Sequence, residues 1–163
     1  MSAAKNLLRQ AIELGDMVTR AYVEDLSDAE LLVRAVPGSN HIAWQLGHLI
    51  GSVRFFLAAL GQPGPRLPDG FEAAYTRETA TLDDPAKFAT KAQYLSLMEQ
   101  MKAASLAAVE AVPESDLDAP GPESMREYAP TVGSVLMLPG THLLMHAGQF
   151  VPIRRKLGKP PLF

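Results

Sequence analysis

All four histidines of the sequence lie in two short, otherwise apolar stretches, Asn40-His41-Ile42-Ala43-Trp44-Gln45-Leu46-Gly47-His48 and Thr141-His142-Leu143-Leu144-Met145-His146-Ala147-Gly148-Gln149. Residues four apart on an α-helix share a face one turn from each other, so His142 and His146 can present their imidazoles to one ion. Two nitrogens at ~2.1 Å from a metal, joined by a third from another element, make a site with one position left for water or substrate. His48 is the candidate third ligand. His41 falls on nearly the same face seven residues earlier, but about 10 Å away along the axis, too far to share an ion with His48. The competing reading is of packed histidines with one nitrogen satisfied, because an i, i+4 pair often arises by chance. The concentration of a scarce residue in apolar surroundings favours the ion, since an unpaired buried polar group is costly.

Charge is segregated along the chain. Residues 31–68 and 129–163 contain no Asp or Glu, whereas residues 69–127 carry twelve acids against five bases. Both histidine stretches fall in the acid-free zones. A dication held there by neutral imidazoles keeps its full charge and favours an anionic fourth ligand such as hydroxide, thiolate or carboxylate. The basic cluster Arg154, Arg155, Lys156 and Lys159 could suggest nucleic acid, but cations in the last turn of a helix complement its dipole, and the expectation is no nucleic-acid partner. Cysteine is absent, which excludes disulfides, thiolate ligands and a cysteine nucleophile. No signal-like start and no uninterrupted apolar span of bilayer length is evident, so the expected compartment is the cytoplasm, without a membrane partner.

The elements that must position the histidines read as helices. A length of 163 residues suits one domain, residues 1–163, with a substantial core. Helical spacing of Leu7, Leu8, Ala11, Ile12, Leu14, Met17 and Val18 predicts a first helix over about 3–22, and Ser27-Asp28-Ala29-Glu30 has the form of a capping box opening a short extra helix. Ser39 or Asn40 is the expected cap of a second long helix reaching about Leu60, apolar nearly all round and therefore central in the bundle or part of an oligomer surface. A homodimer is the expectation. The Pro- and Gly-rich residues 61–83 form a long connection able to cover the site. Asp84-Pro85 reads as the start of a third long helix extending to about Val112. After a loop from Pro113 to Pro130, Thr131 caps a last helix ending at Gly158, within which Pro139 and Pro152 predict a kink or a break. The fold class is all-α, a four-helix bundle with long connecting loops.

Several chemistries lack support. The zinc-protease motif needs Glu directly after the first histidine, and here that residue is Leu143. Neither a Gly-x-Ser-x-Gly elbow nor a Gly-rich phosphate motif occurs, and the Glu-x-x-His pattern of di-iron bundles is missing. A mononuclear site with three histidines survives.

These two segments, followed by Arg154-Arg155-Lys156-Leu157-Gly158-Lys159-Pro160-Pro161-Leu162, resemble the signatures of the DinB-like, or YfiT-like, superfamily, which is unrelated to the polymerase sharing the DinB name. The resemblance spans nearly the whole chain. It implies a four-helix bundle, often dimeric, with an upstream histidine and an HxxxH pair binding nickel or zinc; carried over by position these are His48, His142 and His146. It further implies, as one activity among relatives, transfer of low-molecular-weight thiols. A dication with neutral ligands suits that chemistry, because it stabilises a thiolate.

Neighbouring residues complete the candidate site. Gln45 and Gln149 are each three residues from a proposed ligand and could orient it or a water. Arg54 could recognise an anionic substrate, although a helix-surface arginine is commonly solvated, and Trp44 suits a pocket wall. The expected function is a divalent-metal-binding protein acting on a small molecule, as a thiol transferase or a hydrolase. The alternative is a non-catalytic stress-response or binding protein with a structural metal. No catalytic residue is assigned.

Overall fold

A computed structural model describes residues 2–163. Its long helices are α1 (Ala3–Glu24), α3 (Ile42–Ala59), α4 (Lys91–Ala111) and α5 (Val132–Lys156), with the four-residue α2 (Asp28–Leu31) between the first two. Among the described residues there is no strand, only an isolated bridge between Pro120 and Thr131.

Side-chain oxygens start most of these helices. Ser2 Oγ accepts from the Lys5 N–H, and Ser27 with Glu30 closes both halves of a capping box on α2. Thr131 caps α5 in the same way through Ser134. Two expected starts are corrected. The cap of α3 is His41, not Ser39 or Asn40: its Nδ1 accepts from the Trp44 N–H at 3.0 Å. Asp84-Pro85 opens only a 3-10 turn over Pro85–Lys87, and α4 begins at Lys91 behind a Thr90–Gln93 capping box. A proline after an Asx cap is equally suited to one turn or to a long helix, and the reciprocal cap at Thr90 decides where the long helix starts.

The helices run up, down, down, up. Lys5 Nζ reaches the Glu110 carbonyl while Lys102 Nζ reaches Asp16, so α1 and α4 are antiparallel. Gly140 lies against Ala11 and Gly15, and Arg154 against Tyr22, so α1 and α5 are parallel. Gln45 meets His146 and Phe56 meets His142, which makes α3 antiparallel to α5 and therefore parallel to α4. Short loops generate alternating neighbours, whereas parallel α3 and α4 need a connection that travels back the length of α3, roughly 27 Å. Residues 60–90 make that return. His41 at the start of α3 donates through Nε2 to the carbonyl of Leu82 near the end of the crossover.

This crossover explains the apolar circumference of α3. One face packs into the core with Leu46, Leu49 and Ile50, and another is covered where the Tyr75 ring lies against Gly47. By length and composition α3 could cross a membrane, but 61% of it is buried inside the bundle. The crossover thus covers part of the apolar surface of α3, while Phe55 stays exposed.

Helix α5 is continuous through Pro139 and Pro152. No break lies between Pro139 and His142, and Thr141 donates its hydroxyl to the Met137 carbonyl at 3.2 Å instead of capping a new helix. The basic residues at its end serve the tail: the buried Arg154 guanidinium binds Asp25 and the Tyr22 and Pro160 carbonyls, and Lys159 Nζ donates to the Asp25 carbonyl at 2.7 Å.

Candidate metal centre

The antiparallel contact of α3 with α5 brings His48, His142 and His146 together, with one ligand nitrogen of each within 4.8 Å of the others. Their ring centroids are 4.8–5.3 Å apart. His142 Nε2 and His146 Nε2 are 3.1 Å apart. Two ligands on a tetrahedral ion at ~2.1 Å would be separated by about 3.4 Å, so the nitrogens need only a small adjustment to share one.

Two of the three rings are held from outside. The Gln45 amide nitrogen donates to the Asn40 carbonyl at 2.9 Å, which turns its oxygen toward His146 Nδ1 at 2.8 Å. That oxygen can only accept, so His146 carries its proton on Nδ1 and keeps an Nε2 lone pair facing the other imidazoles. Trp44 stacks on His48 with 5.1 Å between centroids and 6° between planes, and its Nε1 donates to the Thr76 carbonyl in the crossover. His142 has a buried Nδ1 without a hydrogen-bond partner.

The centre disfavours protons. Burial pushes His142 and His146 each down to about 4, helped by the adjacent imidazoles, and lowers His48 as well. The three are neutral at pH 7, the form in which imidazole binds a metal. A set of three convergent, neutral nitrogens with an orphaned buried nitrogen fits a divalent transition metal.

A family model described as the DinB superfamily matches residues 11–150. The chain belongs to the DinB superfamily. Solved structures similar to this chain in fold include two bacterial proteins. A conserved protein from Enterococcus faecalis superposes with a TM-score of 0.69 at 15% identity, over 98% of this chain and 99% of that one. YfiT from Bacillus subtilis superposes with a TM-score of 0.65 at 18% identity, over 98% and 91%. YfiT is described as a probable metal-dependent hydrolase with an unusual four-helix bundle topology. At these identities the likeness is one of fold. A search of curated proteins finds no match.

The remaining candidates of this DinB chain separate clearly. His41 has both nitrogens engaged, with Trp44 N–H and the Leu82 carbonyl, and holds the crossover instead of facing the centre. Gln149 is exposed on α5 and does not orient a ligand as Gln45 does. Arg54 forms an ion pair with Glu72 at 3.1 Å, so its charge is already matched inside the chain. Not foreseen was the Tyr75–Tyr94 pair, whose hydroxyls meet at 2.7 Å and both accept from the Ala89 N–H. Its members come from the aperiodic crossover and from α4, and no spacing in the sequence links them.

Gln45→Leu removes the acceptor that fixes His146. The expected result is a 10- to 100-fold loss of metal affinity with the fold retained, measured by competition with a chromophoric chelator. Gln45→Glu restores an acceptor and should recover most of the loss.

Proposed function

We propose that the chain holds one divalent transition metal, nickel or zinc, on His48, His142 and His146, and acts on a small molecule as a metal-dependent thiol transferase or hydrolase. The observation carrying this reading is the convergence of the three imidazoles, with His146 locked by Gln45 so that its lone pair faces the other two. An ion there would act as a Lewis acid and lower the pKa of a bound thiol or water toward neutrality. The protein's own groups do the rest. Gln45 and Trp44 fix the rings of His146 and His48, and burial keeps the imidazoles neutral. His146 is buried at the back, while His48 and His142 are half-buried and line clefts open to solvent, which gives a small ligand a route of approach.

The test uses protein purified without a histidine tag. One divalent ion per chain is expected, and the cobalt-substituted protein should change its visible absorption when a small thiol is added between pH 6 and 9. A spectrum indifferent to thiols and small anions would make the metal structural, and absence of any ion after reconstitution would remove the reading.

A further inference from the structure

We infer that the cleft beside His142 receives an uncharged, apolar group of a small ligand, aromatic or branched aliphatic. Calling that ligand a substrate rests on the metal-centre reading, but the chemistry of the cleft does not. The cleft encloses about 570 Å³, a size typical of small-molecule sites, and His48 and His142 are among its lining residues. Its other walls come from three separate parts of the chain: Phe55 and Phe56 beside Ser52 on α3, Tyr128 from the connection before α5, and Leu138 and Met145 beside Thr141 on α5 itself. Phe55, Tyr128 and Met145 are 51%, 58% and 59% exposed, although each is large and chiefly apolar. Aromatic rings and a flexible thioether converging on one concavity suit an apolar group of variable shape.

Charge gives the second argument. Among the described residues, no Asp, Glu, Lys or Arg lines this cleft. A smaller cleft of about 260 Å³ shares His48, Ser52 and Phe55 with it, and the single charged residue there, Glu72, is paired with Arg54. A charged group entering the larger cleft would lose water without gaining a protein partner of opposite sign, whereas an apolar group gains by leaving water.

The probe is N-phenyl-1-naphthylamine, an uncharged aromatic dye whose fluorescence rises in apolar surroundings. It should saturate the wild-type protein at one site per chain. Met145→Asp and Tyr128→Asp change exposed side chains and should each weaken binding about tenfold or more. Leu7→Asp, on an equally exposed apolar residue of α1, should leave it unchanged. Equal binding by wild type and both cleft variants overturns the inference, as does equal loss in Leu7→Asp. Failure of the dye to bind a wild-type dimer that Met145→Asp splits into monomers, seen by sedimentation velocity, also overturns it, because a second copy would then occupy the cleft. Cobalt absorption on the same samples separates the two proposals: cobalt bound without dye defeats the cleft inference alone, and dye bound without cobalt defeats the metal centre alone.

Discussion

His146→Ala is expected to take the metal content of tag-free protein from one ion per chain to near zero. His146 is the most enclosed of the three proposed ligands and is oriented by Gln45, so its removal deletes a donor and leaves the Gln45 oxygen without its partner. The affinity loss should exceed the roughly 10- to 100-fold expected for losing a group that only orients a ligand. His48→Ala and His142→Ala should behave alike. His41→Ala should keep its metal but lose about 1 kcal/mol of stability, since His41 caps α3. Retention of one ion per chain by all three ligand variants would defeat the assignment.

The same buried imidazoles set a pH response in the metal-free protein. In the unfolded chain a histidine takes up its proton near pH 6.5, whereas His142 and His146 in the folded chain do so only at about 4. Between these values the unfolded state binds more protons, so stability is fully present above pH 6.5 and falls as the pH drops toward 4. The loss from His146 alone is about 3 kcal/mol. Urea titrations of metal-free protein across this range should show the midpoint falling with pH, and the slope should flatten in His146→Ala. Metal should compete well against protons at pH values lower than free imidazole would allow, because the proton affinity of the ligands is already reduced.

Gly140→Val is expected to be the most damaging single substitution outside the centre. A Cβ at Gly140 would lie 2.2 Å from the Ala11 carbonyl oxygen and 2.8 Å from the Ile12 nitrogen, and one at Gly15 would lie 2.4 Å from the Gly140 oxygen. The obstructing atoms are backbone, so no side chain can turn away and α5 itself must move off α1. Even Gly140→Ala should cost about 3 kcal/mol, the upper end of ordinary overpacking, and lower Tm by roughly 6–12 °C. Because Gly140 precedes His142 by two residues, the displacement also carries that imidazole away from His48, and metal affinity should fall with stability. Gly148→Ala is the control. It sits in the same helix with nothing within 4 Å of its Cβ and should stabilise by about 0.5–1 kcal/mol. A Gly140→Ala protein as stable as wild type would show that the helices can separate freely at this crossing.

Much of this molecule is local in origin and so can be read from the sequence. The i, i+4 spacing of His142 and His146 places both on one face of α5 whatever surrounds it, and the Ser27 box, the Thr131 cap and the period of α1 are decided by neighbours within a turn. Pro139 is ambiguous in the sequence because helix continuity there depends on packing, and in the bundle α5 runs through the proline as one helix. Other features have no local cause. His48 meets the pair only because α3 lies antiparallel to α5, and the choice of His41 over Asn40 as cap, the return of residues 60–90 beside α3, and the pairing of Arg54 with Glu72 all follow from that arrangement. Gln45 and Gln149 stand at equal spacing from His48 and His146, yet only Gln45 reaches one of the three imidazoles, and that imidazole belongs to the other helix. Spacing fixes which face a residue occupies, but which face meets which is decided by long-range packing, here by the backbone contact of Gly15 with Gly140 and the burial of α3 between the core and the crossover.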